Sequence, residues 1–202
     1  MPSARLFLEK IESFKADCLT LSVSEIVTKH IILASPFVVH NQLFTELQIE
    51  VGRYFGIHPR NIIMVGSGKL GFSIAPDKRY QPFGDDSDID IAVVSDALYQ
   101  QIWHEVFVYD NSVRNWLSRD KFGIYHLKGW IRPDKLPSAS TFNRTKEWWE
   151  FFQALTASGK FGPYKIRAGL FYSIDFLEAY QAQCVTLCQN ELQKNENVSN
   201  QS

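Results

Sequence analysis

The chain has 202 residues, 45% hydrophobic and 21% charged, with a net charge of −1. That balance builds an ordinary buried core and excludes both a low-complexity chain and a polyelectrolyte. No apolar run reaches the roughly eighteen residues of a membrane-spanning helix, since the best candidate, residues 31–39, is cut by Pro36.

The first residues run into Glu9, Glu12 and Asp17 and do not read as a secretory leader. Residues 6–19 place Leu6, Ile11, Phe14 and Cys18 on one stripe and predict an amphipathic helix. Ser24 reads as the N-cap of a second helix that runs to about Ala34 and stops at Pro36. Residues 37–55 carry Phe37, Leu43, Phe44, Leu47, Val51 and Phe55 at helical spacing, and Gly56 ends that helix. His58-Pro59 turns into a first strand at 61–65, and a second strand follows at 88–94. Ser95 caps a helix beginning near Asp96. Residues 121–140, broken by Gly123, Gly129, Pro133 and Pro137, read as a long loop with short helical pieces. A helix from Thr145 ends before Gly159, a third strand spans 165–173, and a last helix runs from about Phe176 to Leu192. Residues 1–193 are thus expected as one domain with a helical N-terminal extension, and 194–202 as a polar, disordered tail. The expected fold class is α/β, a short mixed sheet with flanking helices.

Chemistry concentrates in two places. An apolar run, Ile62 to Val65, leads into a Gly66-Ser67 turn, and a second apolar run carries Asp88 and Asp90. Residues two apart on a strand share a face, so both carboxylates project together while Ile89 and Ile91 face a core. Two adjacent carboxylates repel unless a cation neutralises them. Magnesium does so, using one or two carboxylates plus substrate phosphates. The backbone N–H groups of the Gly-Ser turn approach phosphate closely, and Lys69 lies near enough in sequence to reach a triphosphate.

A strand, a Gly-Ser turn and a strand bearing Asp-x-Asp resembles the nucleotidyltransferase superfamily typified by DNA polymerase β, in the form of its small stand-alone bacterial members. Gly66, Ser67, Asp88 and Asp90 match that signature over about thirty residues. The resemblance implies a nucleotidyltransferase with two Mg2+ ions on Asp88 and Asp90, and Gly66 and Ser67 on the phosphates of a nucleoside triphosphate. It also implies a cytoplasmic setting, with toxin–antitoxin or phage-defence systems as the biological context. Active members carry a third carboxylate on a later strand. Residues 165–173 contain none, leaving Asp175 just beyond that strand as the nearest candidate and Asp110 as the next. The same gap supports an alternative: a catalytically inactive nucleotide-sensing or protein- or RNA-binding module. Arg167 lies on that strand, where it would favour an anion over a metal.

Two further features bear on partners. Between Arg119 and Arg167 ten bases stand against four acids, a net +6, while the rest of the chain carries −7. Segment 119–167 is therefore the expected surface for an RNA or protein acceptor. It also contains Trp130, Trp148 and Trp149, which read as base-stacking platforms or as core. Cys18, Cys184 and Cys188 are odd in number and read as reduced thiols.

Overall fold

A computed structural model describes residues 4–113 and 115–199. The first helix, α1 (Ala4–Thr20), buries Phe7, Ile11, Phe14 and Cys18, with Phe7 taking the place on the stripe that Leu6 was expected to hold. Helix α2 (Val23–Ile26) is capped by Ser22, two residues before the expected cap Ser24. Ser22 Oγ accepts from Glu25 N–H, and the Glu25 carboxylate accepts from Ser22 N–H, so both orphan donors are satisfied reciprocally. It continues as a π-helical turn over Val27–Ile32. Helix α3 (Asn41–Phe55) follows, closed by Gly56 in the left-handed region at φ +67°.

Strand β1 (Ile62–Val65) runs directly into α4 (Gly66–Leu70), a helix of five residues. After an excursion over 72–87 come β2 (Ile89–Val94) and α5 (Asp96–Val113), the latter capped by Ser95 Oγ on Leu98 N–H. The stretch 121–140 is more ordered than a loop. It contains most of α6 (Arg119–His126) and a two-residue strand, β3 (Trp130–Ile131). Then come α7 (Asn143–Ala157), β4 (Ile166–Phe171) and α8 (Ile174–Ser199). Residues 194–199, expected as disordered tail, continue α8; 200–202 lie outside the described residues.

The fold is α/β, with a mixed sheet in the order β1-β2-β4-β3. The β1–β2 and β3–β4 pairs are antiparallel and β2–β4 is parallel. Side-chain alternation divides the sheet cleanly. One face carries Ile62, Met64, Ile89, Ile91, Val93, Ile131 and Leu170, all at 2% exposure or less, into the main core with α3, α5 and α7. On the other face Ile63, Ala92, Val94, Trp130 and Phe171 pack against Leu177 and Tyr180 of α8. A third cluster joins α1, the π-turn and α8 through Phe14, Cys18, Ile26, Ile31, Val185 and Cys188. The three cysteines are free thiols. No helix among the described residues is long and apolar enough to cross a membrane.

The excursion is pinned down. Phe72 bridges to Pro82, the Arg79 guanidinium pairs with Glu191 of α8, and Lys15 of α1 stands over the Tyr80 ring at 4.9 Å. Deleting core volume at the sheet is the sharpest test of this packing. Ile91→Ala should cost about 2–5 kcal/mol in urea unfolding. Ile124→Ala, at a 55% exposed position of α6, should cost no more than about 0.5 kcal/mol.

Candidate functional site

The sheet face under α8 is covered at one end only. At the other end, where β1 meets α4, it opens into a cleft of about 470 Å3. Its floor is Asp90, Arg167, Ala168 and Gly169; one wall is Gly66, Ser67 and residues 73–75 of the excursion. The opposite wall is Trp130, Arg132, Asp134 and Trp149, and α8 closes the back with Tyr180, Gln181 and Cys184.

The register explains why these groups meet. Val65 pairs with Asp90, and Asp90 pairs with Arg167, so the residue before the Gly-Ser turn, the acid and the base lie in one row. The turn then lies beside Asp90. Gly66 has φ +65°, and a Cβ there would fall 2.9 Å from Asp90 Oδ2. Glycine is required at this position both for the backbone and for the carboxylate. Burial, followed by the charge on Asp88, pushes the Asp90 carboxyl up to about 6, with Arg167 pulling the other way. Asp88, just before β2, forms an ion pair with Arg167, with Oδ2 2.9 Å from Nε. As expected, Ile89 and Ile91 face the core while the two acids face the other side.

On the strand where the resemblance led us to expect a third carboxylate, the residue paired with Asp90 is a cation. Arg167 stands on the strand next to Asp90 and holds Asp88. Asp175 lies elsewhere. It opens α8 beyond the far end of β4, accepts the Ser173 hydroxyl at 3.3 Å, and is not among the cleft residues. Asp110 lies on α5, in a two-pronged ion pair with Arg119. Lys69 is also misplaced by the sequence reading. One helical turn turns it away from the cleft, and its amino group is buried against the Ala34 carbonyl. Among the described residues no group of three or more His, Cys, Asp or Glu side chains converges as a metal set. Two carboxylates still fit one magnesium ion when triphosphate oxygens complete its shell.

Sequence reasoning named Trp130 as a stacking candidate but did not place it on a strand, and it missed Asp134, Tyr180 and Gln181 as cleft residues. Trp130 lies flat on Phe171, with centroids 5.3 Å apart and planes at 9°. It reaches over Gly169, where any Cβ would collide with the indole nitrogen, and that Nε1–H has no hydrogen-bond partner among the described residues. Arg132 covers both Trp130 and Tyr125 and grips Asp134, which Lys135 holds from the other side. Burial opposes ionisation of Asp134, but the hydrogen bonds from Lys135 and Arg132 outweigh it and hold the carboxyl below its usual range. The available signal was Gly129-Trp-Ile-Arg-Pro133, a short β-rich run bounded by Gly and Pro. Trp148, by contrast, is core at 2% exposure.

Seven of the ten bases between 119 and 167 are held in ion pairs. Arg119 pairs with Asp110, Arg132 and Lys135 with Asp134, Arg144 with Glu105, Lys146 with Glu150, Lys160 with Glu46, and Arg167 with Asp88. Acids from α3, α5 and the start of β2 thus offset much of the segment's charge. No family model, no curated protein and no solved structure matches the chain.

The raised Asp90 carboxyl sets a pH test. Its folded midpoint, about 6, lies above the ordinary 3.8, so the native state binds the proton more tightly than the unfolded chain. Native stability falls as pH rises through that window and stays reduced above it. Asp90→Asn should therefore gain on the order of 2 kcal/mol over wild type at pH 7.5 and nothing at pH 3.5, measured by urea titration.

Proposed function

We propose that the cleft binds a nucleoside triphosphate with magnesium and transfers its nucleoside monophosphate to an RNA or protein acceptor, as in the nucleotidyltransferases that the sequence resembles. The observation that carries this reading is the meeting of the Gly66-Ser67 turn with Asp90 in one cleft, to which Asp88 is tied through its ion pair with Arg167. Turn N–H groups and the Ser67 hydroxyl take the terminal phosphates. Asp88 and Asp90 hold the metal, which when bound neutralises triphosphate charge and makes the acceptor hydroxyl a better nucleophile. Trp149 offers a ring face for the base. In the transfer the acceptor oxygen bonds the α-phosphorus, the α–β phosphoanhydride breaks, pyrophosphate leaves and the hydroxyl proton passes to water.

One observation favours a second reading, nucleotide binding without transfer. Arg167 stands on the strand where a third acid was expected and neutralises Asp88. A guanidinium there grips a phosphate oxygen well but cannot take a proton from an acceptor.

Thermal shift with each of the four nucleoside triphosphates, with and without magnesium, tests the shared part. Ligand at 100 times its Kd should stabilise by about 2.7 kcal/mol, and Asp88→Asn with Asp90→Asn should remove the magnesium-dependent fraction. A double variant that keeps the full shift sinks both readings. Pyrophosphate release from a γ-labelled triphosphate separates them: release supports transfer, and tight binding without release supports the second. Asp175→Ala should leave the nucleotide shift unchanged, because its carboxylate lies at the other end of β4.

A further inference from the structure

A second cavity, of about 490 Å3, lies along the free edge of β1, between that strand, α3 and residues 32–36. Lys69 lines it, although the residue is only 5% exposed. An ammonium carries three donors, and its one hydrogen-bond partner among the described residues is the neutral carbonyl of Ala34. No Asp or Glu is among the described residues that line this cavity, whereas a second base, Arg60, is. Buried charges in proteins are paired or bound to a counter-ion, because removing them from water is costly. Here the protein supplies the cavity and the cation, and no anion.

The remaining lining fixes the ligand's shape. Ile32, Ile63, Val94 and Ile174 make one side apolar, and the first of these belongs to the π-helical turn, a deformation that frequently accompanies functional sites. We propose that this cavity is a binding site for a small amphipathic carboxylate, its head group on Lys69 with Arg60 at the rim, and its apolar body against Ile32, Ile63, Val94 and Ile174. The site is separate from the nucleotide cleft and does not rest on the nucleotide reading. Burial alone lowers the Lys69 ammonium to about 8, with no acid opposing it. Its amino group is thus still largely charged at pH 7, and a bound carboxylate would restore its proton affinity.

Hexanoate, hexanol and acetate separate head from body. With 13C-labelled lysine, hexanoate should move the Lys69 Cε resonance saturably. It should also raise that group's titration midpoint by at least one unit, equivalent to tenfold tighter binding to the charged form. Acetate should bind at least tenfold more weakly, and hexanol should leave the midpoint unmoved. Lys69→Met should abolish the thermal shift given by hexanoate, and Arg60→Ala should weaken it several-fold. The proposal is overturned if hexanoate leaves the Lys69 resonance unmoved, if hexanol binds as tightly as hexanoate, or if Lys69→Met keeps the full shift. The last result would place the binding on another apolar surface, such as the groove beside Trp103 and Phe107. Should Lys69→Met fail to fold, the wild-type resonance with the three probes decides alone.

Discussion

Strand β2 is hydrogen-bonded on both edges and covered on one whole face by the main core, and every other part of the site is placed by that confinement. A strand so enclosed tolerates one ionisable side chain only where its cover ends. Asp90 is that side chain. Its antiparallel partner is Val65, at the brink of the Gly-Ser turn, and its parallel partner is Arg167. A slip of one residue in either register would send the acid into the core and an isoleucine into the cleft, so the hydrophobic faces enforce the polar geometry.

The polar row has its own balance. Burial is the main reason that Asp90 holds its proton more tightly, and the surplus negative charge of two acids against one guanidinium adds to it. A divalent cation or a cation–phosphate pair relieves that surplus more completely than Arg167 does alone. The wall opposite repeats the theme in reverse, with one acid, Asp134, held between two bases. Much of the segment's apparent basicity is absorbed in this way, by partners distant in sequence. Charge counted along a chain therefore overstates the bare positive surface of the fold.

Two strands, the Gly-Ser turn and the paired acids were legible because each depends on local pattern: an apolar run, a turn dipeptide, a period of two. Helix α3 and its glycine stop were legible for the same reason, although its start was placed early at 37 rather than Asn41. What escaped depended on contacts from elsewhere. Strand β3 is two residues long and exists because β4 lies beside it. Lys69 was read as reaching the triphosphate because a five-residue helix gives no periodicity to read, and its direction is set by α4's packing beneath residues 34–38. Asp175 lay close to the third strand in sequence, yet the strand's length carries it away from Asp90. The polar end of α8 suggested disorder, yet the helix continues through Ser199.

The two ends of the chain are sewn together. Gln189 of α8 donates to the Cys18 and Leu21 carbonyls, the former across 171 residues of sequence, and Val185 and Cys188 share a cluster with Phe14 and Cys18. The central β2–β4 pair likewise waits for a strand that arrives after α7. Topology of this kind delays folding, because long loops must close before any contact rewards them. On the ribosome the first helix emerges with its apolar stripe uncovered, and the part of it around Phe14 and Cys18 lacks Val185 and Cys188 until the last helix is made. Premature termination anywhere before α8 would yield a chain with neither its end-to-end seam nor a closed back to its cleft.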